Sequence, residues 1–243
     1  YAQRLQRSIL PYMDDIKLKL PNSFIFYKPR DIVSGDLYWY ADKGDRVYLA
    51  SIDCTGHGVP GAFLSIVANS SLNEIVNDEK ELMPHTVLQK LDEKITFTLK
   101  QGNQSSTTRD GMDLALCMVD LKKNILYYSG ANRPLFFIRD KQIEKIKGDK
   151  FPIGGGFDTN KQFTVSEKQL EKGDAFYIFS DGYADQFGGV DGKKFMIKKF
   201  GELLLEICDR QMDQQYNVIE ETLKEWQGNH ESVDDVLVIG VRI

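Results

Sequence analysis

Apolar positions along this 243-residue chain follow two rhythms, one near 3.6 residues and one of two. In residues 1–10, Ala2, Leu5 and Ile9 share a helical face, and Pro11 stops the pattern. Strand signals follow at 23–27, 37–41 and 46–52, the last two separated by the turn Asp42-Lys43-Gly44-Asp45. Gly58-Val59-Pro60-Gly61 opens a helix predicted to reach about residue 76, because proline is tolerated in a first turn. A second helix is expected over about 84–100, where Val87, Leu88, Leu91, Ile95 and Leu99 recur at three- and four-residue spacing. Strands are then expected at 114–120, 125–129, 134–139, 142–147, 163–166 and 175–179. Two helices near 195–208 and 215–227 precede an apolar strand at 236–241. Strands outnumber helices and cluster around short turns. The pattern predicts an α+β fold with antiparallel sheets between helical layers.

Composition narrows the chemistry. Internal repeats and low-complexity tracts are absent, so one compact domain is expected. The net charge is −5 with no basic block, which disfavours a nucleic-acid partner. Cys54, Cys117 and Cys208 lie far apart with no CxxC pair, which fits a reducing cytosol and argues against disulfides or a zinc–thiolate centre. The three histidines are His57, His85 and His230, so any metal must be held mainly by carboxylates. No apolar stretch approaches the roughly 20 residues of a membrane span. The chain opens on Tyr1, and the expectation is a cytoplasmic domain of a longer protein whose upstream part carries a sensor or an anchor.

Certain aspartates fall at strand ends. Asp36 begins one predicted strand and Asp53 ends the next; a hairpin turning about Gly44–Asp45 would bring both to the same open end. Asp181 follows an apolar strand and Asp234-Asp235 precede another, so antiparallel pairing would gather these acids too. Asp beside Gly is also ordinary turn chemistry. The complete set, however, repels itself unless cations neutralise it. Hard oxygen ligands select Mg2+ or Mn2+ over zinc or copper.

Ser34-Gly35-Asp36, Asp53-Cys54-Thr55-Gly56-His57-Gly58, Asp110-Gly111-Met112-Asp113, Tyr128-Ser129-Gly130-Ala131-Asn132-Arg133-Pro134, Ser180-Asp181-Gly182 and Asp234-Asp235 occur in this order. Together they resemble the metal-dependent protein serine/threonine phosphatases (PPM, or type 2C), in the bacterial branch of stage II sporulation protein E and the sigma-B regulator phosphatases. The resemblance covers about residues 20–243. It implies a β-sandwich of two antiparallel sheets flanked by helices, in α/β/β/α layers. It also implies that residues 1–14 are a linker helix from an upstream sensor module, with 15–243 as the phosphatase domain and a homodimer through the N-terminal helix.

By the same resemblance, Asp36 and Asp53 bind one ion with the Cys54 carbonyl, and Asp53 bridges to a second held by Asp181 and Asp234. Asp235 is the alternative to Asp234, and Asp113 is either an outer-sphere ligand or a turn residue. Two such cations can deliver a bridging hydroxide to phosphorus at neutral pH and neutralise the phosphoryl oxygens, with no protein nucleophile. His57 follows Asp53 by four positions and is either a general acid or a turn residue at the helix entrance. Arg30 is either a contact to the substrate phosphate or a loop residue. Gly154-Gly155-Gly156 lacks the Lys-Ser/Thr of a nucleotide loop and reads as a flexible turn. Small residues Gly61, Ala62, Ser65 and Ala68 suggest close packing of their helix on the next one, a pair that acts as a switch in relatives. The implied substrate is a phosphorylated regulator of the anti-anti-sigma (STAS) type. The rivals are a pseudo-phosphatase that only binds a partner and a two-metal nuclease, the latter disfavoured by acidity and motif order.

Overall fold

Several strands bury residues on both faces, and the architecture follows from that. The computed structural model describes residues 1–78, 82–101, 109–156 and 160–243. The chain begins with α1 (Ala2–Ile9), α2 (Met13–Lys19), β1 (Ser23–Lys28), β2 (Asp36–Asp42), β3 (Arg46–Cys54), α3 (Gly58–Asp78) and α4 (Pro84–Thr98). It continues through β4 (Gly111–Asp120), β5 (Ile125–Ala131), β6 (Leu135–Arg139), β7 (Gln142–Ile146), β8 (Ile153–Gly154), β9 (Ser166–Gln169) and β10 (Ala175–Phe179). Last come α5 (Gly182–Asp185), β11 (Phe187–Gly188), β12 (Lys193–Lys194), α6 (Ile197–Ile207), α7 (Met212–Gln227) and β13 (Val236–Arg242).

One sheet has the order β2-β3-β4-β5-β9, with β8 also on β4, and the other the order β1-β13-β10-β6-β7. Strand pairs within both are antiparallel. Three apolar layers follow from strand alternation. Val47, Leu49, Ala115 and Cys117 meet Phe176, Ile178, Leu237 and Ile239 between the sheets. Trp39, Ile52, Leu114 and Leu116 face Leu72 of α3 and Leu91 of α4. Phe136, Tyr177 and Val238 face Phe200, Leu204, Ile219 and Leu223 of α6 and α7. The result is the expected α/β/β/α sandwich.

Some local expectations change. The strand expected at 163–166 forms instead at Ser166–Gln169, because Phe163 stacks edge-on against Phe151 outside the ladder. Helix α2, with Ile16 as its one buried residue, is too short to show a period. In α1 the buried side chain is Gln6, while Leu5 is half exposed. The Gln6 amide donates to the Ser34 carbonyl at 2.6 Å and to Ser65 Oγ at 3.2 Å, and accepts the Ser34 N–H at 2.9 Å. Ser65 thus faces α1 rather than α4.

Candidate functional site

Strand pairing sets three aspartates in a row. Asp53 on β3 lies opposite Asp36 on β2 and opposite Asp113 on β4. Asp53 and Asp113 continue the alternation of Val47, Leu49, Ala115 and Cys117, so the row lies on the inter-sheet side at one end of the sandwich. From the other sheet, β10 and β13 run antiparallel and bring Asp181, just after β10, to the same end as Asp234 and Asp235, just before β13. Two glycines permit the close approach. A Cβ on Gly61 would lie 2.1 Å from the Gly56 carbonyl oxygen and 2.8 Å from the Gly35 Cα, so the start of α3 packs on the loops bearing Asp36 and Asp53, while Ala68 and Leu72 further along pack with α4 as expected. A Cβ on Gly182 would lie 1.9 Å from the Asp235 carbonyl oxygen.

The acids open into a cleft of about 230 Å³ lined by Asp53, Asp113, Asp181 and Asp234 together with His57 and Arg109. Burial, and then the charge of Asp53, hold Asp36 well above the usual carboxylate range. Burial pushes Asp53 up to about 7, against the pull of Arg133. Asp113 and Asp234 are raised by burial as well. Among the described residues, the buried Asp36 Oδ2 has no hydrogen-bond partner.

Arg133 sets a cation among these acids, and sequence reasoning missed it. Its Nη2 donates to Asp53 Oδ2 and Asp181 Oδ2, each at 2.7 Å, and lies 3.2 Å from Asp113 Oδ2. The available signal was its position just after a buried strand, in a stretch already singled out. Among the described residues no group of three or more His, Cys, Asp or Glu is arranged to hold a metal ion. The donor set nonetheless fits a hard divalent cation: carboxylate oxygens, in register, one of them buried and unpartnered.

The remaining candidates separate. Asp235 is buried, and its carboxylate accepts the Arg30 and Gly35 backbone N–H groups, each at 2.7 Å. Asp234 instead lines the cleft. Cys54 ends β3 beside Asp53 and lines the same cleft. His57 Nδ1 pairs with Asp31 Oδ2 at 2.7 Å. Arg30 is turned to the Val233 carbonyl, which its Nη1 reaches at 2.8 Å, and it does not line the cleft. Gly154 and Gly155 are not a loose turn: their N–H groups donate to Asp92 and Gln101.

Residues 43–243 match the family described as stage II sporulation protein E (SpoIIE). The phosphoserine phosphatase RsbU of Bacillus subtilis (strain 168) is 26% identical over 161 residues, 65% of this chain and 44% of that protein. The chain thus spans less than half the length of this curated relative. The SiaA-PP2C domain of Pseudomonas aeruginosa superposes with a TM-score of 0.90 at 30% identity, over 100% of this chain and 94% of that one. The PP2C phosphatase domain of SpoIIE from Bacillus subtilis, solved with a fragment of its regulatory domain, shares the fold with a TM-score of 0.74 at 20% identity, over 91% of this chain and 63% of that one.

Proposed function

Starting from a chain that belongs to the stage II sporulation protein E family, we propose that it is a metal-dependent protein serine/threonine phosphatase acting on phosphoserine or phosphothreonine of a partner protein. The observation that carries this reading is the row Asp36–Asp53–Asp113, of which Asp53 and Asp113 line one cleft with Asp181 and Asp234 while Asp36 lies buried beside Asp53. Asp36, Asp53 and the Cys54 carbonyl would hold one Mn2+ or Mg2+ ion, and Asp53, Asp181 and Asp234 a second. When bound, the ions supply a water activated at neutral pH and positive charge for the phosphoryl oxygens.

The chain's own residues do the rest. Asp235 pins the Arg30 and Gly35 amides and so fixes the loop that leads into Asp36. Asp31 holds His57 at Nδ1, which leaves Nε2 to give a proton to the departing seryl or threonyl oxygen. Asp113 braces Asn132, whose amide donates to Asp113 Oδ1 at 2.8 Å. Gln6 couples α1 to Ser34, two residues before Asp36, and to Ser65 on α3, which suits α1 to relay the state of an upstream module. The name of RsbU supports phosphoserine as the substrate. A small regulator of the anti-anti-sigma type is the partner this family suggests. Among the described residues no helix is long and apolar enough to cross a membrane.

One observation favours a second reading, a non-catalytic binding module: Arg133 already supplies a cation to the cluster. Turnover of an aryl phosphate with Mn2+, with EDTA and in Asp53→Ala separates the two. The phosphatase reading expects activity with Mn2+ alone. Activity surviving both EDTA and the substitution would overturn the metal mechanism, and none with any divalent ion would favour the binding module.

A further inference from the structure

We propose that Arg133 is a built-in cation that competes with divalent ions for Asp53 and Asp181, holding the carboxylates together without metal and setting how tightly the site takes it. The proposal rests on the phosphatase reading above.

The contact is unusual for an arginine. One terminal nitrogen, Nη2, meets three carboxylates, at 2.7, 2.7 and 3.2 Å. Two N–H bonds cannot serve three acceptors. Asp53 and Asp181 take them, and Asp113 takes the Asn132 amide on its other oxygen. The buried Nε has no partner among the described residues. This guanidinium therefore behaves as a point charge among acids, not as the planar fork that usually grips a carboxylate through two parallel bonds.

The backbone that carries it is fixed on both sides. Asn132 sits at φ 58° and its N–H donates to the Asp149 carbonyl at 2.7 Å. The Arg133 carbonyl accepts the Tyr128 hydroxyl, and the Arg133 N–H reaches the Ala131 carbonyl at 2.7 Å. Among the described residues the side chain, by contrast, is held through those carboxylates, so it can leave while the backbone stays.

It must leave for an ion to enter. A divalent ion needs oxygens at about 2.0–2.6 Å, and Nη2 stands 2.7 Å from the same Asp53 and Asp181 oxygens. Both cannot share that point. Occupancy by Arg133 thus lowers the fraction of molecules ready to bind, and apparent affinity falls by the same fraction. Three carboxylates facing one guanidinium leave net negative charge, which is why a divalent ion can still win.

The test is calorimetric titration of MnCl2 into the EDTA-stripped chain, for the parent protein, Arg133→Gln and Asp53→Asn. The expected result is Mn2+ binding about tenfold or more tighter in Arg133→Gln, with a lower melting temperature in EDTA and a melting temperature near that of the parent once Mn2+ is saturating. A merely structural arginine would not tighten binding when removed. Equal or weaker binding in Arg133→Gln, while Asp53→Asn loses it, would overturn this proposal alone. No binding in the parent, or binding untouched by Asp53→Asn, would overturn the phosphatase reading and this proposal with it. A crystal structure of the parent protein with Mn2+ gives a check that needs no variant: Arg133 displaced from Asp53 and Asp181 supports the proposal, and Arg133 still bonded to both beside a bound ion overturns it.

Discussion

Asp36 and Asp53 face each other across the β2–β3 ladder, on the side of the sheet that packs against its partner sheet. Like charges directly opposite in a sheet are destabilising, and burial adds to the cost. On the proposed reading, a fold that keeps this pair gives up stability for a cation site.

The sign of the pH dependence follows. Asp53 rises from an ordinary 3.8 to about 7, and Asp36 moves the same way. Between these values the folded chain binds more protons than the unfolded chain, so stability falls as pH rises. Without divalent ions, the protein should lose a few kcal/mol between about pH 4 and 7 as Asp53 ionises, and the loss should continue wherever Asp36, raised further by its complete burial, still holds its proton. Denaturant melts in EDTA across this range check it. Mn2+ should restore stability at pH 8, and Asp53→Asn should flatten the profile. A flat profile in the parent protein would contradict the account.

Asp234 and Asp235 should part company on substitution. Asp235→Ala leaves two backbone N–H groups without their acceptor and should cost about 2–4 kcal/mol of stability. Asp234→Ala should leave the metal-free fold as stable or slightly more so, while abolishing Mn2+-dependent turnover. Urea melts together with an aryl phosphate assay distinguish these outcomes. The reverse pattern would move the ligand to Asp235.

Gln6→Ala should release α1. It removes three buried hydrogen bonds to Ser34 and Ser65, at a cost of about 1–3 kcal/mol. Amide hydrogen exchange in 2–9 should accelerate strongly, while the central strands keep their protection. Ser65→Ala removes one of these bonds and should do less. Unchanged exchange in Gln6→Ala would show that apolar packing holds the helix.

Beside the cleft, Lys161 is buried and bonded to Asp92 Oδ1 at 2.7 Å and to the carbonyls of Pro152 and Gly154 at 2.9 and 2.7 Å. Lys161→Met would leave Asp92 without its buried counter-ion, keeping the Gly154 N–H, and should destabilise the chain by about 3–5 kcal/mol. Asp92→Leu together with Lys161→Met should recover part of that loss. Thermal melts of the two variants decide it.

Residues that act through local pattern were legible in the sequence. The turn Asp42–Asp45 sets the hairpin register that pairs Asp36 with Asp53. Asp181 and Asp234 could be read as ends of apolar strands. Legibility stopped where a role depends on distant chain. Arg133 reaches Asp53 across 80 residues and Asp181 across 48. Gln6, polar in a helix with apolar neighbours, is buried only because Ser34 and Ser65 meet it, 28 and 59 residues away. Asp234 and Asp235 look alike in sequence, since both precede the same strand; amides 200 or more residues away distinguish them. Arg30 precedes Asp36 by six residues, but its guanidinium turns to Val233. Small residues of α3 suggested a helix partner, and Ala68 does share a core with Leu88 and Leu91 of α4, whereas Gly61 accommodates the loop carbonyl of Gly56.

The most direct measurement is phosphate release from a phosphoserine-bearing regulator protein of the anti-anti-sigma type, with the parent chain and Asp53→Ala compared in Mn2+ and in EDTA. The account predicts release by the parent with Mn2+ only, and a loss of about two orders of magnitude or more in Asp53→Ala and in EDTA. Equal rates in the parent with and without EDTA, or in Asp53→Ala, would contradict it.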